Sequence, residues 1–386
     1  MAELVPGLDY AEFVAACRAF RDERAFRASP FFARWGAELD ALLRTPRIEL
    51  AAEPDVSTRP TLRVAQWNIE KGLRLEGLER RFRDDPRLAD ADVITLQETD
   101  IGMARASNAD VARVLAHAWR GHSVYLPSYI ECTKGPPEDA KAPGENERGL
   151  HGLTILTRLP LLAVARHPLP ACWDYFDFWE KRFGVRQGLY VLLEAPFGRC
   201  VVGTTHLEVR RTPTCREAQF AAFLEGLDAA LALWGADLPV VVTGDWNTNS
   251  FPRGGWARSF AGFLRILTTP REQLSEELVR PEKREPLFAR LAAAGFAWDA
   301  FNDRGATGWQ RLGEVEDLSL VPRPWAQALM RTAGLEPRVL GMRLDWIAAR
   351  GLVATTPPET FPADGLSDHS GLRAELAPSA ASGSLP

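Results

Sequence analysis

Residues 240–250 read VVVTGDWNTNS, a β-branched apolar run that ends in one carboxylate, Asp245, and one amide, Asn247. The run has the composition of a buried strand, and residues two apart on an extended chain face the same way. Both side chains can therefore converge on one small target at the strand's end. An acid beside an amide suits a hydrated metal ion or a phosphate, but the same residue types also close turns through local hydrogen bonds. What decides between the two is whether other strand ends supply partners.

Similar runs recur, and each ends in polar groups of the same kind. RVAQWNIEKG (63–72) carries Asn68 and Glu70, again two apart, and DVITLQETD (92–100) carries Gln97 and Glu98. VVGTTHLE (201–208) carries His206, RLDWIAARG (343–351) carries Asp345, and GLSDHSGL (365–372) carries Asp368 and His369. Turn chemistry explains one such ending, but sheets normally finish their strands in a mixture of Gly, Pro and assorted polar residues. Convergence on a hard cation explains the set. Mg²⁺ or Mn²⁺ takes oxygen ligands from one or two carboxylates, keeps waters and binds together with a substrate phosphate. With six histidines and no thiolate cluster, zinc is the weaker candidate.

Composition sets outer bounds. The 386 residues are 46% hydrophobic and 25% charged, the profile of a soluble globular protein with a large core. Lys plus Arg total 46 against 51 Asp plus Glu, so the net charge of −5 supplies no global field for steering polyanions. Cysteines 17, 132, 172, 200 and 215 are scattered, odd in number and free of CxxC spacing. Neither a disulfide framework nor a thiolate zinc site is expected from them, and a reducing cytoplasm is the simplest home. The opening MAELVPGLDY has no signal-like pattern and no apolar run reaches 18 residues, so secretion and membrane spanning are not expected.

Along the chain, residues 8–45 read as two amphipathic helices, DYAEFVAACRAFRDERAF and FFARWGAELDALL, followed by the polar linker AAEPDVSTRP. From 62 to 376 the pattern changes to short strand-like runs: LRVAQWN, DVITLQ, LTILTR, LYVLLEA, CVVGTTHLE, PVVVTGD, LDWIAA and GLRAEL. TCREAQFAAFLEGLDAALALW, after Pro213, has the spacing of a helix lying on a sheet. The stretch from Phe251 to Met342 is expected to supply loops and helices over one end of the sheets.

The blocks WNIEKG, LQETD, GLTILTRLP, TTHLE with its following RxxQ helix, GDWNTNS, RLDW and SDH, in that order, resemble the endonuclease/exonuclease/phosphatase superfamily. That group includes apurinic-site endonucleases, pancreatic-type deoxyribonucleases, neutral sphingomyelinases, inositol-polyphosphate 5-phosphatases and deadenylases. The resemblance covers residues 62–376, about four fifths of the chain. It implies an α/β fold, a four-layer αββα sandwich of two packed, mostly antiparallel sheets flanked by helices, with the site at one end. It also implies a division into an N-terminal helical extension (1–58), a catalytic domain (59–378) and a disordered tail (379–386).

By the same resemblance Glu98 is the principal metal-binding glutamate, with Asn68 beside it, while Glu70 and Asp368 are acids that join the metal shell or its waters. Asp245 positions the attacking water, Asn247 holds phosphate or metal, His369 contacts the phosphoryl group, and Asp345 orients its ring. His206 matches the transition-state histidine of the sphingomyelinase, deoxyribonuclease and deadenylase branches, which apurinic-site endonucleases lack. These residue types fit phosphoester hydrolysis, which needs a cation, hydrogen-bond donors for the developing charge and one base for water. An imidazole held by Asp345 is biased toward its protonated form, which favours a donor role for His369.

Other candidates carry plainer readings. Gln97 is expected to hydrogen-bond backbone, His151 to be a loop histidine without a special task, and Arg216 and Gln219 to support the sheet. CWDYFDFWEKRFG (172–184) packs six aromatics into 13 residues. It reads either as a helix stapled to the body or as a lid on which Trp173 and Trp179 meet substrate by stacking bases or entering a lipid headgroup layer. The expected activity is a Mg²⁺-dependent phosphodiesterase, most simply a nuclease. The alternatives are a phospholipid or soluble phosphate ester as substrate, with peripheral lipid contact in the first case, and an inactive binding scaffold.

Overall fold

The computed structural model describes residues 3–52, 59–209, 211–248, 268–311 and 339–379, with 260–262, 264–265, 328 and 332. The tail expected beyond 378 lies outside the described residues apart from Ser379. The first strands are β1 (Glu3–Val5), β2 (Leu8–Asp9), β3 (Arg47–Glu49), β4 (Leu62–Asn68), β5 (Val93–Ile101) and β6 (His122–Glu131). There follow β7 (Leu150–Thr157), β8 (Leu161–Pro168), β9 (Arg182–Gly184), β10 (Gln187–Ala195), β11 (Gly198–His206) and β12 (Val240–Asp245). The last are β13 (Gly308–Arg311), β14 (Val339–Met342), β15 (Asp345–Arg350), β16 (Leu352–Ala354), β17 (Glu359–Phe361) and β18 (Gly371–Pro378). Helices are α1 (Tyr10–Arg18), α2 (Glu23–Arg27), α3 (Pro30–Arg44), α4 (Leu75–Asp84), α5 (Pro86–Ala89), α6 (Val111–Trp119), α7 (Pro213–Trp234), α8 (Arg271–Val279) and α9 (Leu287–Ala293).

Two sheets carry the fold. The larger runs β16-β18-β4-β5-β7-β6-β3, with β17 and β9 attached at its margins, and the smaller runs β15-β12-β11-β10-β8. Neighbours are antiparallel in both, except for one parallel pair each, β4 with β5 and β11 with β12. Val64, Ile155, Val191, Val202, Ile347 and Leu372 fill the space between the sheets. Outside the larger sheet, Leu78, Phe82, Leu115 and Trp119 of α4 and α6 bury against Ile94 and Leu96. Outside the smaller one, Phe220, Phe223 and Leu227 of α7 bury against Tyr190, Val201 and Val242. Helix, sheet, sheet and helix make the expected four layers. α7 turns one face inward through Arg216, Gln219, Phe220, Phe223, Leu227, Ala230 and Leu231, at the spacing of an amphipathic helix. Each such Phe or Leu contributes roughly 1.5–3 kcal/mol by leaving water.

The N-terminal residues form three helices, not two. Asp22 accepts a hydrogen bond from Arg24 N, a cap that interrupts the first expected run, while Ser29 accepts from Phe32 N at 3.2 Å and, with Pro30 at a first-turn position, opens the second expected helix. Phe13, Phe26, Leu39 and Leu43 bury against Tyr125, Ile130, Leu150 and Phe183, and β3 extends the large sheet by pairing with β6.

The cysteine expectation is corrected. Cys172 and Cys215 form a disulfide, because the 171–181 loop returns to the start of α7 and brings their Cα atoms to 6.1 Å across 43 residues of sequence. Disulfides persist in oxidising compartments, so cysteine spacing is no argument here for a reducing one. Cys17, Cys132 and Cys200 are free and buried.

Candidate active site

The two parallel pairs explain why the strand ends meet. Parallel neighbours finish at the same edge of a sheet, so β4 and β5 deliver Asn68 and Glu98 together while β11 and β12 deliver His206 and Asp245 as register partners. β15 runs antiparallel to β12, which places its first residue, Asp345, opposite Asp245. β18 runs antiparallel to β4, so His369, just before it, arrives beside the end of β4, where the Trp67 indole donates to the His369 carbonyl at 2.7 Å.

Local backbone then aims individual groups. The register between β5 and β7 shifts between Leu96 and Thr99, and Glu98 inside that bulge has φ of 55°, a left-handed conformation uncommon for a glutamate. Such strain is held where it re-aims a side chain. Glu70 and Asn247 share this backbone region, with φ of 46° and 49°. Gly244 precedes Asp245 because a Cβ there would stand 1.9 Å from the Thr205 carbonyl oxygen, so only glycine lets β12 come this close to β11.

Asn68 is the hub. Its Nδ2 lies 3.1 Å from Asp245 Oδ2 and 3.3 Å from Glu98 Oε1, and its Oδ1 accepts from Glu70 N. Asp245 Oδ2 is flanked by His206 Nε2 at 3.3 Å and His369 Nε2 at 3.8 Å, and its Oδ1 accepts from Asn247 N at 2.9 Å. The Asn247 amide itself donates to the Leu207 carbonyl at 3.0 Å. His369 Nδ1 pairs with Asp345 Oδ2 at 2.7 Å, while Gln66 Nε2 donates to Asp345 Oδ1 at 2.9 Å. Asp368 stands exposed at the rim, and Glu70 is half-buried.

Burial and crowding separate the charges. Burial would raise the Glu98 carboxyl, but Lys71, His206, His151 and His369 more than offset it and hold the group well below the usual carboxylate range. Burial, with Asp368 and Glu98 nearby, pushes Glu70 up to about 7. Burial likewise lifts Asp245 to about 7, with His369 opposing and Asp345 assisting. Burial lowers His206 well below an ordinary imidazole, helped by Arg186. His369 goes the other way, since Asp345, Asp245 and Asp368 outweigh its burial. The result is one imidazole biased neutral, one biased charged, and several carboxyls whose mutual repulsion a cation would relieve. Donor atoms of Asp245, Asp345 and His369 also lie within 4.8 Å of one another, a spacing that could hold a metal.

Several readings change. His151 is no loop residue: it lies on β7, buried, with Nδ1 2.8 Å from Asp100 Oδ1, and it stands close enough to Glu98 and His206 to influence both. Arg105 grips the same Asp100 at 2.6 Å and reaches Glu131, and Lys71 Nζ sits 2.8 Å from Asp139, so a buried network borders Glu98. Asp100, two residues beyond Glu98, was the available sequence signal. Gln97 bonds side chains, accepting from Gln66 at 2.6 Å and donating to Thr204 at 2.9 Å across the two sheets. The aromatic segment forms turns instead of a helix; Phe176 is buried, Trp173 is half-buried under the Arg211 guanidinium at 4.5 Å, and Trp179 is 48% exposed. Arg216 and Gln219 tie α7 to neighbouring loops and, among the described residues, not to a strand: Arg216 pairs with Glu285, just before α9, and Gln219 accepts from Glu208 N, beyond the end of β11, at 2.8 Å.

The family model described as the endonuclease/exonuclease/phosphatase family matches residues 65–369. No curated protein matches the sequence significantly. Among solved structures, an endonuclease/exonuclease/phosphatase from Beutenbergia cavernae is 19% identical over 83% of this chain and 72% of its own, with a TM-score of 0.49. The human Nocturnin catalytic domain with bound sulfate is 15% identical over 86% of this chain and 98% of its own, also at 0.49. A 3′-5′ exonuclease from Neisseria meningitidis is 16% identical over 82% of this chain and all of its own (100%), at 0.47. Among the described residues no helix is long and apolar enough to cross a membrane.

Proposed function

The chain belongs to the endonuclease/exonuclease/phosphatase family, and from that membership we propose that it is a Mg²⁺- or Mn²⁺-dependent phosphodiesterase, most simply a nuclease. The observation that carries this reading is Asp245. Its carboxylate lies between two imidazoles of opposite bias and is tied through Asn68 to Glu98. A carboxyl lifted to about 7 is matched to taking a proton from water near neutral pH. His369, held charged by Asp345, donates to a phosphoryl oxygen as negative charge grows there, and His206 supplies a second polar contact on the opposite flank.

The donor set fits a hard cation, because the carboxyls of Glu98, Glu70 and Asp368 gather beside Asn68 where they otherwise repel. Both oxygens of Asp345 are engaged, by Gln66 and His369, so we assign it to orienting the ring and place the ion on the Glu98 side. When bound, the ion would stabilise charge on the phosphate and the departing oxygen. Asn247 completes the phosphate contacts through its side chain.

A phospholipid or soluble phosphate ester would use the same groups, and the net charge of −5 favours such a substrate over a long polyanion. The deciding experiment is a Mg²⁺-supplemented panel of single-stranded and duplex nucleic acid, sphingomyelin, phosphoinositides and a bis-aryl phosphate, with Glu98→Ala as the blank. Hydrolysis of none of these above the blank would refute the reading.

A further inference from the structure

Beyond His206 the chain passes along a cavity of about 370 Å³ lined by Tyr129, Trp173, Tyr175, Arg186 and Glu208, with Asp22 and Glu23 of the N-terminal residues also facing it. The cavity adjoins the active site. Arg186 Nη1 donates to the His206 carbonyl at 3.0 Å, and Tyr129 is the register partner of His151. Glu208 stands two residues past His206, just beyond the end of β11.

The lining selects a ligand chemistry. Both cations of the lining are already paired, Arg186 with Glu208 and the His206 carbonyl and Arg182 with Glu131 and Glu180, and Asp22 and Glu23 add negative charge, so a second phosphate is disfavoured here. Aromatic walls favour a flat ring: Tyr129 and Tyr175 stand edge to face at 5.6 Å. Trp173 Nε1 is buried with no acceptor among the described residues, and a buried N–H calls for one. Glu208 accepts from the Tyr175 hydroxyl at 2.9 Å, which fixes that ring as a wall of the cavity. A neutral ring with carbonyl acceptors satisfies the Trp173 N–H, and the volume is in the range of small-ligand sites.

We propose that this cavity is a nucleobase subsite, which receives the base next to the scissile phosphate, with Trp173 as its hydrogen-bond donor and Tyr129 and Tyr175 as its aromatic walls. The assignment rests on the phosphodiesterase reading and adds the substrate class to it.

The test compares thymidine p-nitrophenyl phosphate, as 3′ and 5′ esters, with methyl p-nitrophenyl phosphate, all with Mg²⁺ and full-length protein. The wild type should prefer at least one thymidine ester. Trp173→Ala should lower kcat/KM for that ester by about tenfold or more, mostly through KM, and change the methyl ester by less than about twofold. Trp173→Phe should lose about as much, because the ring returns without the N–H that makes the contact. Equal losses on all three esters, or no preference in the wild type, would overturn the subsite. Should Trp173→Ala fail to fold, calorimetry on the wild type decides: thymidine 3′- or 5′-monophosphate must bind more tightly than methyl phosphate, and equal affinities overturn the proposal. Preferential nucleotide binding without hydrolysis of any ester would support the cavity and sink the phosphodiesterase reading; hydrolysis without nucleoside preference does the reverse.

Discussion

Nδ1 of His369 lies 2.7 Å from Oδ2 of Asp345, and the other oxygen of that carboxylate accepts from Gln66, so the imidazole is held by an acid that is itself held. Residues that act as one unit lose most of their value with the first change. His369→Ala is expected to lower kcat/KM on the order of 10²-fold, and adding Asp345→Asn to cost little more. A double-mutant cycle reads this directly, and additive losses would refute the pairing.

The metal prediction follows from Glu98. Its carboxyl is kept ionised despite burial, chiefly by Lys71, as a ligand requires. Chelation should abolish hydrolysis, and Mg²⁺ or Mn²⁺ should restore it. Glu98→Gln, which removes one charge from a ligand shell of few carboxylates, should shift the metal activation curve to higher concentration. Full activity in excess chelator would end the cation reading.

His151 gives a third expectation. Its Nδ1 faces Asp100, and Nε2 has no hydrogen-bond partner among the described residues, beside Glu98 and His206. Removing such a supporting group typically costs 10- to 100-fold in metal affinity or activity, so His151→Ala should lose about that much while keeping its melting temperature. An unchanged rate with a lowered melting temperature would return His151 to a purely structural role.

The site was legible where chemistry sits at a strand's end. Asn68, Glu98, His206 and Asp245 each close an apolar run, and the two parallel pairs bring those ends together. His151 escaped because its partner, Asp100, is 51 residues away and pairing across strands leaves no local spacing. β6 escaped for another reason: Pro127 interrupts HSVYLPSYIE, yet the register shift between Pro127 and Tyr129 accommodates it within a fully buried strand. The Cys172–Cys215 bond depends on a loop return that no spacing of five cysteines could announce.

Stability should depend on Arg216 and Glu285, both fully buried, with Arg216 Nε 3.2 Å from Glu285 Oε2 where α7 meets the start of α9. Breaking such a pair leaves one buried charge, at a cost of roughly 3–5 kcal/mol. Glu285→Ala should therefore lower the denaturant midpoint strongly, whereas Arg216→Met with Glu285→Leu should recover much of the loss, since both charges then go together. A double variant no more stable than Glu285→Ala would show that the pair's specific bonds, and not the orphaned charge, set the cost.

The last expectation concerns acid. His122 opens β6, and its Nδ1 accepts the Ala51 N–H at 2.9 Å, tying the segment after β3 to the sheet. Burial lowers this imidazole below its ordinary 6.5, and a protonated Nδ1 could no longer accept. The folded state thus resists a proton that the unfolded chain takes up readily. The stability from this contact is complete above about pH 6.5 and declines as pH falls below that value toward the lower folded pKa. His122→Gln offers an acceptor that does not titrate, so its unfolding free energy should fall less steeply than the wild type's between about pH 6.5 and 5. Other groups titrate equally in both proteins, and the difference in slope isolates His122. Parallel slopes would mean that the Ala51 contact contributes nothing to acid sensitivity.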